Sequence, residues 1–367
     1  MYRDYAREVI KIKQAYLFGP QKNTLQEEIL SSPNARIILF GAGLGGHAAA
    51  KWIQKEGGCV FCFCDSMKSG KDEKFDIPII SPEELKKYYG DDQTYIVISV
   101  GDRYRDEIAS LLLELGCPIR KIIPSYFMKD KLTLDELEAH LDGYQWMFDH
   151  VEDDTSRDII INRIKNYLFY FEAPHDEDYK RYFDSAIMPL RTDEIYLDGG
   201  AFNGDSILSF LNATKNQYRY IWGFEPDLEN YRNAINTLHD YKNVTLINQG
   251  IWSGEETLPF IGGQETLSCF DKAGSSTVSV IGLDHFFLNR NNRPTVIKLD
   301  IQGAELYALQ GARKLIKENH PKLILCAYHE VSHLYELAQT VFRIDPSYKF
   351  WIRHYSDNLH ETILYAL

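Results

Sequence analysis

The stretch EIYLDGGAFNGDSILSF (194–210) sets the strongest limit on how this chain folds. A short apolar run ends in Asp198, breaks at Gly199, Gly200 and Gly204, and gives way to helical spacing. Strand, glycine turn and helix in that order begin a βαβ unit, whose strands run parallel because a helix returns the chain. The same grammar occurs earlier. ARIILF (35–40) leads into GAGLGGHAAAKWI, with Gly41, Gly43 and Gly46 in G-x-G-x-x-G spacing, and then into CVFCFCD, ending in Asp65. A chain of 367 residues has room for two domains, and two such openings predict two Rossmann-like α/β domains.

The expected organisation has four parts. Residues 1–33 are an N-terminal helical segment, with Tyr2, Tyr5, Val9, Ile12 and Tyr16 on one apolar face. That face fits either its own chain or a second copy, which allows a homodimer. Residues 34–125 form a small Rossmann-like nucleotide-binding domain: SPEELKKYYG is a capped short helix, YIVISVGD a third strand, Ile108–Leu115 a helix and 121–123 a short strand. Here glycines let backbone approach a diphosphate, a helix N-terminus adds N–H groups, and Asp65 can accept ribose hydroxyls. Residues 126–185 read as two or three helices, a linker or a lid, with an N-cap cluster at Asp154, Thr155 and Ser156 and a turn at Ala173-Pro174.

Residues 186–367 carry the functional argument. Strands are expected at 194–198, 220–225, within NVTLINQG, at 294–300 and at 322–328, alternating with helices, and an antiparallel pair at 348–354 and 362–367 closes the chain. That makes a seven-strand doubly wound sheet with an antiparallel terminal hairpin. Ligands of such sheets lie at the carboxyl ends of the strands. Asp198, Glu225 and Asp300 fall there, with Asp198 suited to an amine and Glu225 to both hydroxyls of a ribose. The turn lacks G-x-G-x-x-G register, so a nucleoside with a charged amino-acid tail fits better than a diphosphate. S-adenosylmethionine has that form.

Composition excludes other classes. Forty basic against 53 acidic residues give a net charge of −13, which disfavours nucleic acid as a partner. No apolar run is long enough for a membrane span, and the charged N-terminus is unlike a secretory signal. Six cysteines are too few for a disulfide scaffold, which points to the cytoplasm, and Cys59, Cys62 and Cys64 read as a buried strand rather than a zinc site.

The segments DGGAFNGDS, FEPD, QGIWSGEETLPF, KLDIQGAE, AYHE and RHYSDNLHETILYAL, in this order over about residues 180–367, resemble the methyltransferase FkbM family. The resemblance implies a class I S-adenosylmethionine-dependent methyltransferase that O-methylates a sugar, a sugar nucleotide or a related metabolite of polysaccharide or secondary-metabolite biosynthesis. It places Asp198, Gly199, Gly200, Ala201, Asn203, Gly204, Asp205 and Ser206 around the cofactor turn, and Glu225 with Pro226 at the ribose. One departure is Gln302, where the family usually has an acid. Residues 35–123 resemble the small nucleotide-sugar-binding domain of sugar O-acyltransferases, through FGAGLGGHAAA, FCD and IPIISPEELKK.

A hydroxyl acceptor must lose a proton, so His329, His354 and Asp300 are the candidate catalytic groups, with His329 preferred as base. Asp300, Glu305 and His329 do not make up the ligand count of a magnesium site, so no metal is expected, and His333 and His360 have no assigned part. Lys298 is expected to pair with Asp300 on its own strand. Two other readings compete: a non-catalytic nucleotide-binding scaffold or sensor with a degenerate methyltransferase domain, and a nicotinamide oxidoreductase resting on the first glycine motif alone.

Overall fold

The computed structural model describes residues 4–18, 34–55, 57–91, 93–100, 102–118, 122–123, 132, 134–168, 181–262, 269–270, 276–356 and 360–367. Tyr2 and Ala173-Pro174 lie outside them. The chain divides into two compact units. One comprises Lys11–Leu132 with Tyr167–Tyr170; the other comprises Met1–Ile10, Thr133–Asn166 and Phe171–Leu367.

The first unit holds a sheet of β1 (Arg36–Phe40), β2 (Val60–Cys64), β3 (Gly70–Lys71), β4 (Pro78–Ile80), β5 (Thr94–Ile98) and β6 (Ile122–Ile123), in the order β3-β4-β2-β1-β5-β6. All pairings are parallel except β3–β4. Successive side chains of a strand face opposite ways. Ile37 and Leu39 accordingly join one apolar layer with Ala49, Ala50 and Ile53, while Ile38 and Phe40 join another with Leu112. Cys62 and Cys64 are buried in that second layer as free thiols, and burial pushes the Cys62 thiol up to about 12. The helix expected from Ile108 begins earlier, at Asp102.

The second unit is built on a seven-stranded sheet and a smaller one. Its strands are β7 (Ile195–Gly199), β8 (Tyr220–Phe224), β9 (Val244–Ile247), β10 (Gly250–Ile251), β11 (Glu256–Ile261), β12 (Cys269–Phe270), β13 (Ser276–Ile281), β14 (Val296–Leu299), β15 (Lys322–Cys326), β16 (Phe350–His354) and β17 (Thr362–Ala366). The large sheet runs β16-β17-β15-β14-β7-β8-β9, with β17 antiparallel to both neighbours. The strands β7, β14, β15 and β17 are almost wholly buried, as expected where helices cover both faces. The small sheet, β10-β13-β11-β12, occupies the connection between β9 and β14, a stretch the sequence reading left without strands.

Within this unit the helix Leu141–His150 lies against the helix His333–Ile344: Tyr144 Oη donates to the Val331 carbonyl at 2.7 Å. Arg353 of β16 binds Asp153 at 2.6 Å, and Ser156 Oγ accepts the Ile352 N–H at 2.8 Å. Residues 134–166 thus pack on the β16 flank of the large sheet. Tyr5, from the N-terminal helix, donates to the Leu141 carbonyl at 2.9 Å and its ring lies tilted against Phe148 at 5.3 Å, so this part of the apolar face is covered by its own chain.

Lys298 stands directly opposite Asp198 in the β14–β7 register. Its Nζ binds Asp198 Oδ1 and the Gly200 carbonyl, each at 2.9 Å, and both side chains are essentially inaccessible to solvent. Ser206 Oγ donates to the other Asp198 oxygen at 2.5 Å. The lysine therefore pairs across the sheet with Asp198, correcting the expected pairing with Asp300 on its own strand. Breaking one side of a buried ion pair strands a charge away from water. Lys298→Met should cost about 3–5 kcal/mol, and Lys298→Met with Asp198→Asn should regain much of it. Urea denaturation followed by tryptophan fluorescence checks this; a loss under about 1 kcal/mol in the single variant would contradict the assignment.

Candidate active site

In this doubly wound sheet the chain order reverses between β7 and β14: β8 and β9 extend one way, β14 and β15 the other. The residues of interest gather at the carboxyl ends of these strands. Beyond β7, Gly200 has φ 78°, Phe202 φ 47° and Gly204 φ 93°. A Cβ at Gly200 would lie 1.9 Å from the Asp300 carbonyl oxygen, so only glycine lets these two loops touch. The N–H groups of Gly200 and Ala201 both donate to the Phe224 carbonyl at 3.0 Å, which draws the turn over β8.

Glu225 follows β8. One carboxylate oxygen accepts the Phe202 N–H and the other the Asp227 N–H, both at 2.9 Å. Asp227 in turn caps the helix Leu228–Leu238. Burial pushes the Glu225 carboxyl up to about 7, against the two backbone donors that favour its charge. Its neighbour Pro226 is half-buried and gives its carbonyl to Asn248 at 3.0 Å.

The other predicted turn residues divide by exposure. Gly199, Ala201, Gly204 and Ser206 are buried, whereas Asn203 is half-buried and Asp205 exposed. Asn203 Oδ1 accepts the Asp205 N–H, and Asp205 Oδ1 accepts the Ser206 N–H at 2.8 Å. Asp198 was expected to meet an amine. In the structure it is fully buried, and its two oxygens accept from Ser206 and Lys298, which ties the turn to β14.

Across from Glu225, Asp300 follows β14. Its carboxylate accepts from Tyr182 Oη at 2.9 Å and Tyr328 Oη at 3.3 Å, and lies 3.5 Å from His329 Nε2. Burial would raise the Asp300 carboxyl, but Lys298 and His329 hold it below the ordinary range. His329 Nδ1 is 3.0 Å from Glu305 Oε1, and His333 Nδ1 is 3.4 Å from Glu305 Oε2. Burial alone would lower His329; Glu305 and then Asp300 overcome it and raise the imidazole to about 9. Such an imidazole is a cation near neutrality, which counts against the expected assignment of His329 as base. Gln302 lies in the same loop at φ 54°, and the buried acid of that loop is Glu305.

His354 is elsewhere along the edge. It is buried at the end of β16, with Nδ1 2.9 Å from Thr362 Oγ1, and Arg163 reaches the same hydroxyl at 3.2 Å. The structure thus joins Asp300 to His329 and places His354 in a separate polar pair.

In the first unit the glycine motif is partly committed to internal packing. A Cβ at Gly46 would sit 1.9 Å from the Gly41 carbonyl oxygen, whereas Gly43 faces open space. Asp65 accepts N–H groups from Ala42, Met67 and Lys68 at 2.8–3.0 Å, so the loop itself uses the carboxylate expected to meet a ribose. His47 pairs with Asp72 at 2.6 Å, a contact with no sequence signal.

Sequence reasoning missed Tyr182 and the part played by His333. The available hint to His333 was the H-E-x-x-H pattern of HEVSH (329–333). Tyr182 has none: it reaches Asp300 across 118 positions.

Residues 198–355 match the family model described as methyltransferase FkbM domain. Over the whole chain the fold is similar to the crystal structure of methyltransferase FkbM from Methylobacillus flagellatus KT. The two are 21% identical, with a TM-score of 0.69, covering 99% of this chain and 98% of that one. A precorrin-6y C5,15-methyltransferase from Geobacter metallireducens GS-15 is a partial likeness, at 14% identity and a TM-score of 0.31, covering 49% of this chain and 81% of that one. No curated protein matches. With residues 198–355 matching that family model, the protein is a methyltransferase.

Proposed function

We propose that the protein transfers a methyl group from S-adenosylmethionine to a hydroxyl oxygen of a sugar, a sugar nucleotide or a related metabolite, in polysaccharide or secondary-metabolite synthesis. The observation that carries this reading is Glu225, fixed by two backbone donors beside a turn whose Gly200 bears no side chain. Each of its oxygens keeps a free lone pair, so the carboxylate can accept both hydroxyls of a ribose. The glycine turn admits a nucleoside without offering a diphosphate cradle, and these residues fit the cofactor. When bound, the cofactor supplies an electrophilic methyl on a sulfonium. Asp300 is the carboxylate for the acceptor side, oriented by Tyr182 and Tyr328 and suited to take the hydroxyl proton. His329 steadies the Asp300 carboxylate by charge, with Nε2 3.5 Å away. Alignment of the acceptor oxygen behind the methyl supplies much of the remaining rate.

The sugar class rests on the family likeness of the six ordered segments. For the first unit we propose a nucleotide or sugar nucleotide at the open face of Gly43, a reading supported by the sequence likeness of residues 35–123.

A protonated acid at 225 cannot accept from two hydroxyls. Affinity for S-adenosylmethionine should therefore be highest above pH 7 and fall as pH drops through about 7, up to tenfold per unit. Calorimetric titration at pH 6, 7 and 8 reads this directly, and a flat profile would contradict the role of Glu225. Glu225→Gln should weaken binding about 10–100-fold at pH 8. Asp300→Asn should lower kcat by about 10²–10⁴ with cofactor affinity within about threefold, measured as demethylated cofactor released with a panel of sugar nucleotides. Cofactor binding by the wild type with no turnover on any acceptor would favour the scaffold reading instead.

A further inference from the structure

Three side chains on the acceptor side are poorly served by the protein around them. Glu305 opens the helix Glu305–Gln310, His329 follows β15, and His333 opens the helix His333–Ile344 four residues later. Glu305 and His333 are 0% and 3% exposed, and His329 nearly as buried. Yet Glu305 Oε2, both ring nitrogens of His329 and Nδ1 of His333 have no hydrogen-bond partner, although all are shut off from solvent. The contacts of 3.0 and 3.4 Å between carboxylate and imidazoles are close without being aligned along an N–H. Beyond the charge attraction between Glu305 and His329, a buried carboxylate and two imidazoles left in this way carry a desolvation cost that no aligned hydrogen bond at these atoms offsets.

An ion between them resolves the arrangement. One ligand atom from each residue lies within 4.8 Å of the other two. Nitrogen and oxygen ligands at about 2.0–2.1 Å from a tetrahedral ion stand about 3.3–3.4 Å apart, and His333 Nδ1 lies 3.4 Å from Glu305 Oε2. The Ile301 N–H holds Glu305 Oε1 at 2.9 Å and leaves Oε2 free to coordinate. His329 offers Nδ1 inward while Nε2 faces the Asp300 carboxylate, as metal-bound histidines commonly face an acid. Two imidazoles with one carboxylate are a donor set for first-row transition ions, not for magnesium or calcium, and three protein ligands leave a position for an oxygen ligand.

We propose that Glu305, His329 and His333 bind a divalent transition-metal ion, zinc or one of like preference, beside Asp300. The expectation of no metal considered Asp300, Glu305 and His329; His333 supplies the missing ligand, and Asp300 stands outside as a partner of His329. The proposal is independent of the cofactor reading, since the ion can bind whether or not a methyl is transferred.

The test uses the full-length chain, stripped with a chelator and titrated with Zn²⁺ by calorimetry and with Co²⁺ by visible absorption. One equivalent should bind, with the absorption of a low-coordinate cobalt site. Glu305→Gln and His333→Gln should each weaken binding by more than the roughly 10–100-fold typical of an outer partner, and Asp300→Asn by about that amount. Thermal unfolding verifies that each variant folds, and His329→Gln replaces either that does not. Absence of saturable uptake by the wild type would overturn the proposal. So would uptake unchanged in folded ligand variants, or displacement of zinc by equimolar Mg²⁺.

Discussion

Everything at the carboxyl edge of the large sheet hangs on one buried charge pair. Lysine and aspartate at the centre of a parallel sheet are tolerable only when each polar atom finds a partner. Here Asp198 takes Lys298 and Ser206, while Lys298 also takes the Gly200 carbonyl and lies 5.2 Å from the Tyr182 ring. Those groups belong to β7, β14, the glycine turn, the helix behind it and the segment before β7. One pair thus ties the register of two strands to the path of the glycine turn. The same lysine holds Asp300 as a carboxylate from the opposite side.

Around that centre the acids divide the work by what surrounds them. Asp198 is wholly enclosed and paired with Lys298 and Ser206. Glu225 is anchored by backbone donors but keeps lone pairs to spare. Asp300 is held by two tyrosine hydroxyls, with a histidine behind it. Three carboxylates at three adjacent strand ends therefore present three different chemistries, set by neighbours rather than by residue type.

The strands β7, β8, β14 and β15 were legible because buried parallel strands are uninterrupted apolar runs ended by a polar residue. The acids Asp198, Glu225 and Asp300 were legible at the same edge for that reason. Their roles were not. An aspartate ending a strand looks the same in sequence whether it meets a ligand or a lysine 100 positions away, and only the register of β7 on β14 decides. The small sheet escaped notice because β11 and β13 are largely exposed and β11 contains Pro259, so neither gives an apolar run. The helix beginning at Asp102 was read late because its first turns, DRYRDE, carry almost no apolar residue. The three-residue cluster required Glu305 to meet two histidines more than 20 positions downstream, a convergence that no local spacing encodes.

The contact between Gly200 and Asp300 also bears on motion. With no room for a single carbon between the two loops, and with the Asp300 N–H bound to the Gly199 carbonyl at 3.0 Å, they move as one block. The wall where β7 meets β14 is therefore a fixed jaw.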